Sequence, residues 1–199
     1  GGRLGWAANL ERAEERNMRR HRLVPLGLVI LAGILLFVRP TEVPPPCFDE
    51  GWILSVARNW VELGHYGELM NGMLISPGML NVGFPAIAPI ALSFRLLGVG
   101  IWQGRLPGAL FTLGSLALIY YLSRRLYGPS VASGTLATLV LMSILPLILF
   151  GKKALGEMPA VFYLLAGHVR ILIVKALFDL SNPLAAVFWG LAIATKLQV

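Results

Sequence analysis

The chain is short of charge and of cysteine. Charged side chains make up 14% of its 199 residues, where a soluble domain carries about 25%. Hydrophobic residues make up 56% and the mean hydropathy is +0.72. A single cysteine, Cys47, excludes an intramolecular disulfide and a cysteine metal site. No P-loop, G-x-G-x-x-G, H-E-x-x-H or G-x-S-x-G motif is present, and no soluble nucleotide-sugar domain. Alternating segments of about ten residues are also missing, which speaks against an outer-membrane barrel. The net charge of +7 is dispersed among apolar runs, so it gives no support for nucleic-acid binding. No internal repeat or low-complexity tract appears.

What remains is a series of apolar runs approaching the roughly 20 residues that cross a bilayer core. They cover residues 23–38, 106–122, 131–150, 158–174 and 184 onward. The expected fold is all-α, a polytopic transmembrane bundle with juxtamembrane amphipathic helices in its first outer loop. Residues 1–22 form a basic arm holding six arginines, which the positive-inside rule puts in the cytoplasm. Residues 23–199 form the membrane-embedded part. No A-x-A-like cleavage site follows residue 38, so the first run is expected to stay as an uncleaved span. The chain stops inside an apolar stretch, "GLAIATKLQV", and is expected to be the N-terminal part of something longer.

With the first span leaving the cytoplasm, residues 39 to about 99 form an outer loop with its juxtamembrane helices. Residues 50–63 repeat Trp52, Val56 and Trp60 every four positions, the spacing of a helix lying on a membrane surface. The segment 80–97 is apolar but carries Pro85, Pro89 and Arg95. If it crosses, Arg124 and Arg125 lie outside. If it stays juxtamembrane, that pair lies inside and "GKKALGE" shares the outer face with Asp49. The arginine pair, the prolines and Arg95 favour the second arrangement, while Lys152 and Lys153 oppose it.

On that face two acidic motifs stand out: the pair Asp49-Glu50, and Glu157 at the head of "MPAVFYLL". Arg58, Lys152 and Lys153 are near them in sequence. A cation holds a phosphate leaving group, and a carboxylate accepts a proton from an attacking hydroxyl or coordinates a hard divalent ion. Each group has a structural alternative. Asp49 can cap a helix beginning at Glu50, Glu157 can head a first turn ahead of Pro159, and the lysines can snorkel.

"FDEGWILSVARNWVELGHYGELMNG" resembles the first outer loop of the C-superfamily glycosyltransferases that use lipid-linked sugars, in the bacterial branch related to protein O-mannosyltransferases and the lipid A aminoarabinose transferase. "RLLGVGIWQGRLPGALFTLGSLALIYYLSRRLYG", "GKKALGEMPAVFYLLAG" and "GLAIATK" match later segments in the same order. The resemblance implies a multi-pass protein of a bacterial-type inner membrane. Its donor is a polyprenyl-phosphate-linked sugar and its acceptor a lipid, glycan or protein. It implies Asp49 as the base or acceptor-positioning acid, Glu50 as its neighbour and Glu157 as the second acid. Arg58, Lys152 and Lys153 are expected on the donor phosphate, and a Mg or Mn ion, if one is used, on Asp49 and Glu157. It also implies that segment 80–97 is juxtamembrane. Two departures bear on the donor and acceptor: the loop "SPGMLNVGFP" has no lysine where the aminoarabinose branch has one, and the second acid is Glu. The stretch 1–199 by itself is expected to be inactive. The competing reading is a non-catalytic membrane protein, such as a lipid-linked-sugar flippase or a transporter fragment. In that case the acids are caps or loop charges.

Overall fold

The computed structural model describes residues 23–75, 82–128, 130–174 and 183–196. The expected basic arm lies outside the described residues. The elements run α1 (Leu23–Phe37), α2 (Phe48–Leu63), β1 (Glu68–Met70), β2 (Met73–Ile75), α3 (Phe84–Leu97), α4 (Ile101–Leu126), α5 (Val131–Ser143), α6 (Leu145–Gly151), α7 (Glu157–Val174) and α8 (Pro183–Thr195).

The fold is helical as expected, with one short hairpin beside the helices. After α2 ends on Gly64 in the left-handed conformation, "GELMNGMLI" folds back as an antiparallel hairpin, with Glu68 opposite Ile75 and Met70 opposite Met73. Asn71 and Gly72 at its tip both have positive φ, 51° and 79°. Asn-Gly is the pair that tolerates this in a two-residue hairpin turn.

The expected span 131–150 is broken. Helices α5 and α6 meet at a 76° bend, with Ile144 extended between them (φ −77°, ψ 94°). The cause is Pro146. In a continuous helix its ring would clash with the carbonyl of Met142 and its missing N–H would leave that carbonyl without a donor. At the start of a new helix neither defect arises.

Helix α4, with 26 residues, is the described helix long and apolar enough to cross a membrane, and α5 with α6 passes the same test as a bent pair. At 1.5 Å per residue α4 rises about 39 Å, more than the roughly 30 Å hydrocarbon core. Only 39% of its most apolar window is buried, so much of its apolar surface faces outward. The 14 residues of α3 rise about 21 Å, too little to cross that core.

Two apolar clusters hold the fold. Ile53, Val56 and Ala57 of α2 pack on Ile87, Ile90, Ala91 and Phe94 of α3, with Ala154 against them. Ala32 and Leu36 of α1 pack with Ala109 and Leu116 of α4, Met142 of α5 and Ile148 of α6. In α2 the buried positions Ile53, Val56 and Ala57 recur at helical spacing, one position round from the expected face of Trp52 and Trp60, which are only partly buried. That stripe faces α3, while Phe48 on the same helix is 78% exposed.

Candidate functional site

The site is built around one buried ion pair. Arg105, in the second turn of α4, and Glu50, in the first turn of α2, are 1% and 0% exposed. The guanidinium meets the carboxylate in a fork: Nε donates to Oε1 at 2.7 Å and Nη2 to Oε2 at 2.6 Å. Nη1 donates to the carbonyls of Pro40 and Pro44 at 2.8 and 2.9 Å. Glu50 Oε1 also accepts the backbone N–H of Ala154 at 3.0 Å. The planar fork suits arginine and not lysine. One ion pair thus joins the proline-rich loop, α2, α4 and the loop after α6. Buried this deeply, both charges need every one of those partners.

The loop after α6 is pressed against α4. A Cβ on Gly108 would collide with the carbonyl oxygen of Lys153, so only glycine permits this approach. Thr112, one turn on, donates to the carbonyl of Gly151 at 2.6 Å. Lys152 is buried and its Nζ reaches back to the carbonyls of Val38 and Leu35, at 3.1 and 3.4 Å. These stand at the C-terminal end of α1, the negative end of its dipole. No carboxylate partners Lys152 among the described residues. Burial, and secondarily the nearby Arg105 charge, hold its pKa below the usual 10.5. Lys153 is also buried, with Nζ 5.4 Å from the centre of the Phe150 ring.

Beside these groups is a cavity of about 240 Å³, walled by Leu36, Phe37, Pro40, Trp102 and Leu106, with Arg105 and Lys152 among its lining residues. Arg105 is already matched by Glu50, so the cavity carries one net positive charge, on Lys152.

The fold brings the two acidic motifs to one end of the bundle. Ala154 is bonded to Glu50, and Glu157 follows three residues later, a reach of at most about 10 Å. Arg124 and Arg125, at the far end of α4, are about 29 Å from Arg105 along the helix. Asp49 is exposed and sits in the first turn of α2. The N-cap is Cys47, with no side-chain cap bond, so Asp49 is not the helix cap. Glu157 is about half exposed and forms an ion pair with Lys196 beyond α8. Gly83 donates to the carbonyl of Thr195 at 2.8 Å, which fixes this end of α8 at the start of α3. No hydrogen bond or ion pair links Asp49 to Glu157 among the described residues.

Glu50, expected in the acidic pair as the neighbour of Asp49, is fully buried with both oxygens engaged. Arg58 does not line the cavity; it pairs with Glu62 one turn along α2 at 2.7 Å, both side chains well exposed. For an ion on Asp49 and Glu157, no group of three or more His, Cys, Asp and Glu stands together among the described residues. Arg105 is the site residue that sequence reasoning passed over. Its signal was present: an arginine inside an otherwise apolar helix is costly and kept for a purpose.

The arrangement defines a helical protein whose acid-bearing loop is locked by a buried ion pair, beside a cationic cavity, to a helix long and apolar enough to cross a membrane. The sequence model of the dolichyl-phosphate-mannose-protein mannosyltransferase family matches residues 85–199, and the chain belongs to that family. Its members are integral membrane proteins, and membership makes this chain a membrane-bound, mannosyltransferase-like glycosyltransferase. The matched stretch holds Arg105, Lys152, Lys153 and Glu157; the loop bearing Asp49 and Glu50 precedes it. No curated protein and no solved structure matches the chain.

Proposed function

We propose that the protein is a multi-pass transferase that moves a sugar from a polyprenyl-phosphate donor to an acceptor hydroxyl at the outer membrane face, with its N-terminus in the cytoplasm. The observation that carries this reading is the buried Lys152, with no carboxylate partner among the described residues, in a cavity whose one other charged lining residue, Arg105, is already matched by Glu50. A buried cation without an acid is unfavourable, and a ligand phosphate would neutralise it. Two of the three ammonium donors point at carbonyls, which leaves one for that phosphate. Leu36, Leu106 and Ala109 would border the first part of the lipid chain.

In the reaction Asp49 takes the proton of the acceptor hydroxyl. The acceptor oxygen bonds to the anomeric carbon as the bond from that carbon to the phosphate oxygen breaks. Polyprenyl phosphate leaves with the bonding electron pair, and Lys152 stabilises the added charge. Glu50 and Arg105 do not react; they set the position of Asp49. Glu157 orients the acceptor from the other side. The described side chains offer a metal ion at most the pair Asp49 and Glu157, so no step is assigned to one.

The bent α5–α6 pair has a counterpart in the broken helices of transporters, and a lipid-linked-sugar flippase would use the same cationic cavity. Two variants of the full-length protein separate the readings. Lys152→Met keeps the bulk and removes the charge, and it should weaken donor binding. Asp49→Asn should retain donor binding and lower transfer by about 10²-fold or more, the range for a lost general base. Transfer at the unaltered rate in Asp49→Asn sinks the transferase mechanism.

A further inference from the structure

We infer that the groove between α2 and α3 is a binding site for an anionic phospholipid of the bilayer, distinct from the donor cavity. Trp60 and Val61 of α2, with Gly64 just past its end, face Ala88, Ala91 and Leu92 of α3 across a groove of about 540 Å³. The walls are apolar or small, and Ala88 and Ala91 keep the floor low. The one charged lining residue is Arg95.

Arg95 is exposed and has no hydrogen bond or ion pair among the described residues. Elsewhere in the fold Arg39, Arg58 and Arg105 each face a carboxylate, from Glu42, Glu62 and Glu50. The α3 dipole favours a cation in the last turn. That accounts for a cation at this point of α3, but not for an apolar groove leading to it. The outward surface of α3 around Arg95 is apolar, with Leu92 58% and Leu96 71% exposed. A helix of this kind lies in the bilayer interface, and Trp60 suits the headgroup layer. An arginine there binds a phosphate by charge-assisted hydrogen bonds, while the groove takes one acyl chain. The occupant that satisfies both ends is a lipid with a net negative phosphodiester headgroup, such as phosphatidylglycerol.

The test is native mass spectrometry of the full-length protein, stripped of lipid in detergent and titrated separately with phosphatidylglycerol and phosphatidylcholine. The expected result is retention of one phosphatidylglycerol and weak retention of phosphatidylcholine. Arg95→Gln should weaken phosphatidylglycerol about tenfold, the loss of one charge-assisted contact, and Arg95→Lys should restore part of it. Ala88→Leu, which fills the groove and stays apolar, should weaken both lipids. Equal affinity for the two lipids, or no effect of Arg95→Gln, overturns the proposal. No bound phospholipid at all also overturns it and makes the groove a protein contact. Displacement of phosphatidylglycerol by polyprenyl phosphate would make the groove part of the donor site and overturn it too. Donor binding through Lys152 is measured separately, so failure of one site leaves the other standing.

Discussion

Replacing Glu50 by Gln keeps the shape of the side chain and removes its charge. The variant leaves Arg105, 1% exposed, without a carboxylate and beside a second buried cation, Lys152. The amide can still accept from Arg105 Nε or from Ala154 N–H, but its NH2 group then points at the guanidinium. Breaking a buried pair by removing one partner costs about 3–5 kcal/mol. Each kcal/mol shifts the midpoint of a chain this size by roughly 2–4 °C, so a fall of roughly 6–20 °C is expected. Cys47, the one thiol, lies three residues before Glu50 and is half-buried. A fluorogenic maleimide therefore reports unfolding of this corner directly. Arg105→Met should fall by a comparable amount. The double variant Glu50→Met/Arg105→Met should be milder than the sum of the two, because neither charge is stranded. It should not be neutral, because Pro40, Pro44 and Ala154 still lose their partners, at about 1–3 kcal/mol each. The control is Arg58→Gln, which breaks an exposed one-turn pair of about 0–1 kcal/mol. If Glu50→Gln loses no more stability than Arg58→Gln, or if the double variant equals the sum of the singles, Glu50–Arg105 is not what fixes this corner.

The donor site should titrate early on the alkaline side. Lys152 is held below 10.5 by burial and by Arg105, and the proposed phosphate contact needs its protonated form. Donor affinity should therefore fall as pH rises through that lowered pKa, before reaching 10.5. Lys152→Arg should move the loss to higher pH, and an unchanged profile would remove Lys152 from the site. Between the lowered value and 10.5 the unfolded chain binds the extra proton. This group therefore adds stability as pH rises across that window and none below it. At Gly108 the chain should reject even a methyl group. Gly108→Ala drives a Cβ into the Lys153 carbonyl, which should lower the thermal midpoint and weaken donor binding together. Gly51→Ala, where nothing lies within 4 Å, should do neither.

Much of the fold was legible because apolar length and period are local properties. The period of Trp52, Val56 and Trp60 announced the helix α2, though its buried side is the neighbouring stripe Ile53, Val56 and Ala57 against α3, and proline and arginine in segment 80–97 pointed to a juxtamembrane segment, which folds as a helix of 14 residues. The hairpin escaped notice although Asn71-Gly72 is its signal, because its strands are three residues each. The break at Ile144 was equally written in Pro146, but the apolar run around it reads as continuous by hydropathy.

The site divides differently. The sequence alone singled out the groups proposed for the chemistry: two acidic motifs, Arg58 and two lysines. It could not tell the two acids of "DE" apart. Adjacent helical positions point about 100° apart around the axis, so one faces solvent while its neighbour faces the core. Which is which depends on where α4 lies. Only the tertiary structure decided that Glu50 is the buried member, that Arg105 from 55 residues away is its partner, and that the Ala154 loop closes over both. The reason is that burying a charge is costly unless it is paired, and partners distant in sequence meet only after the helices pack.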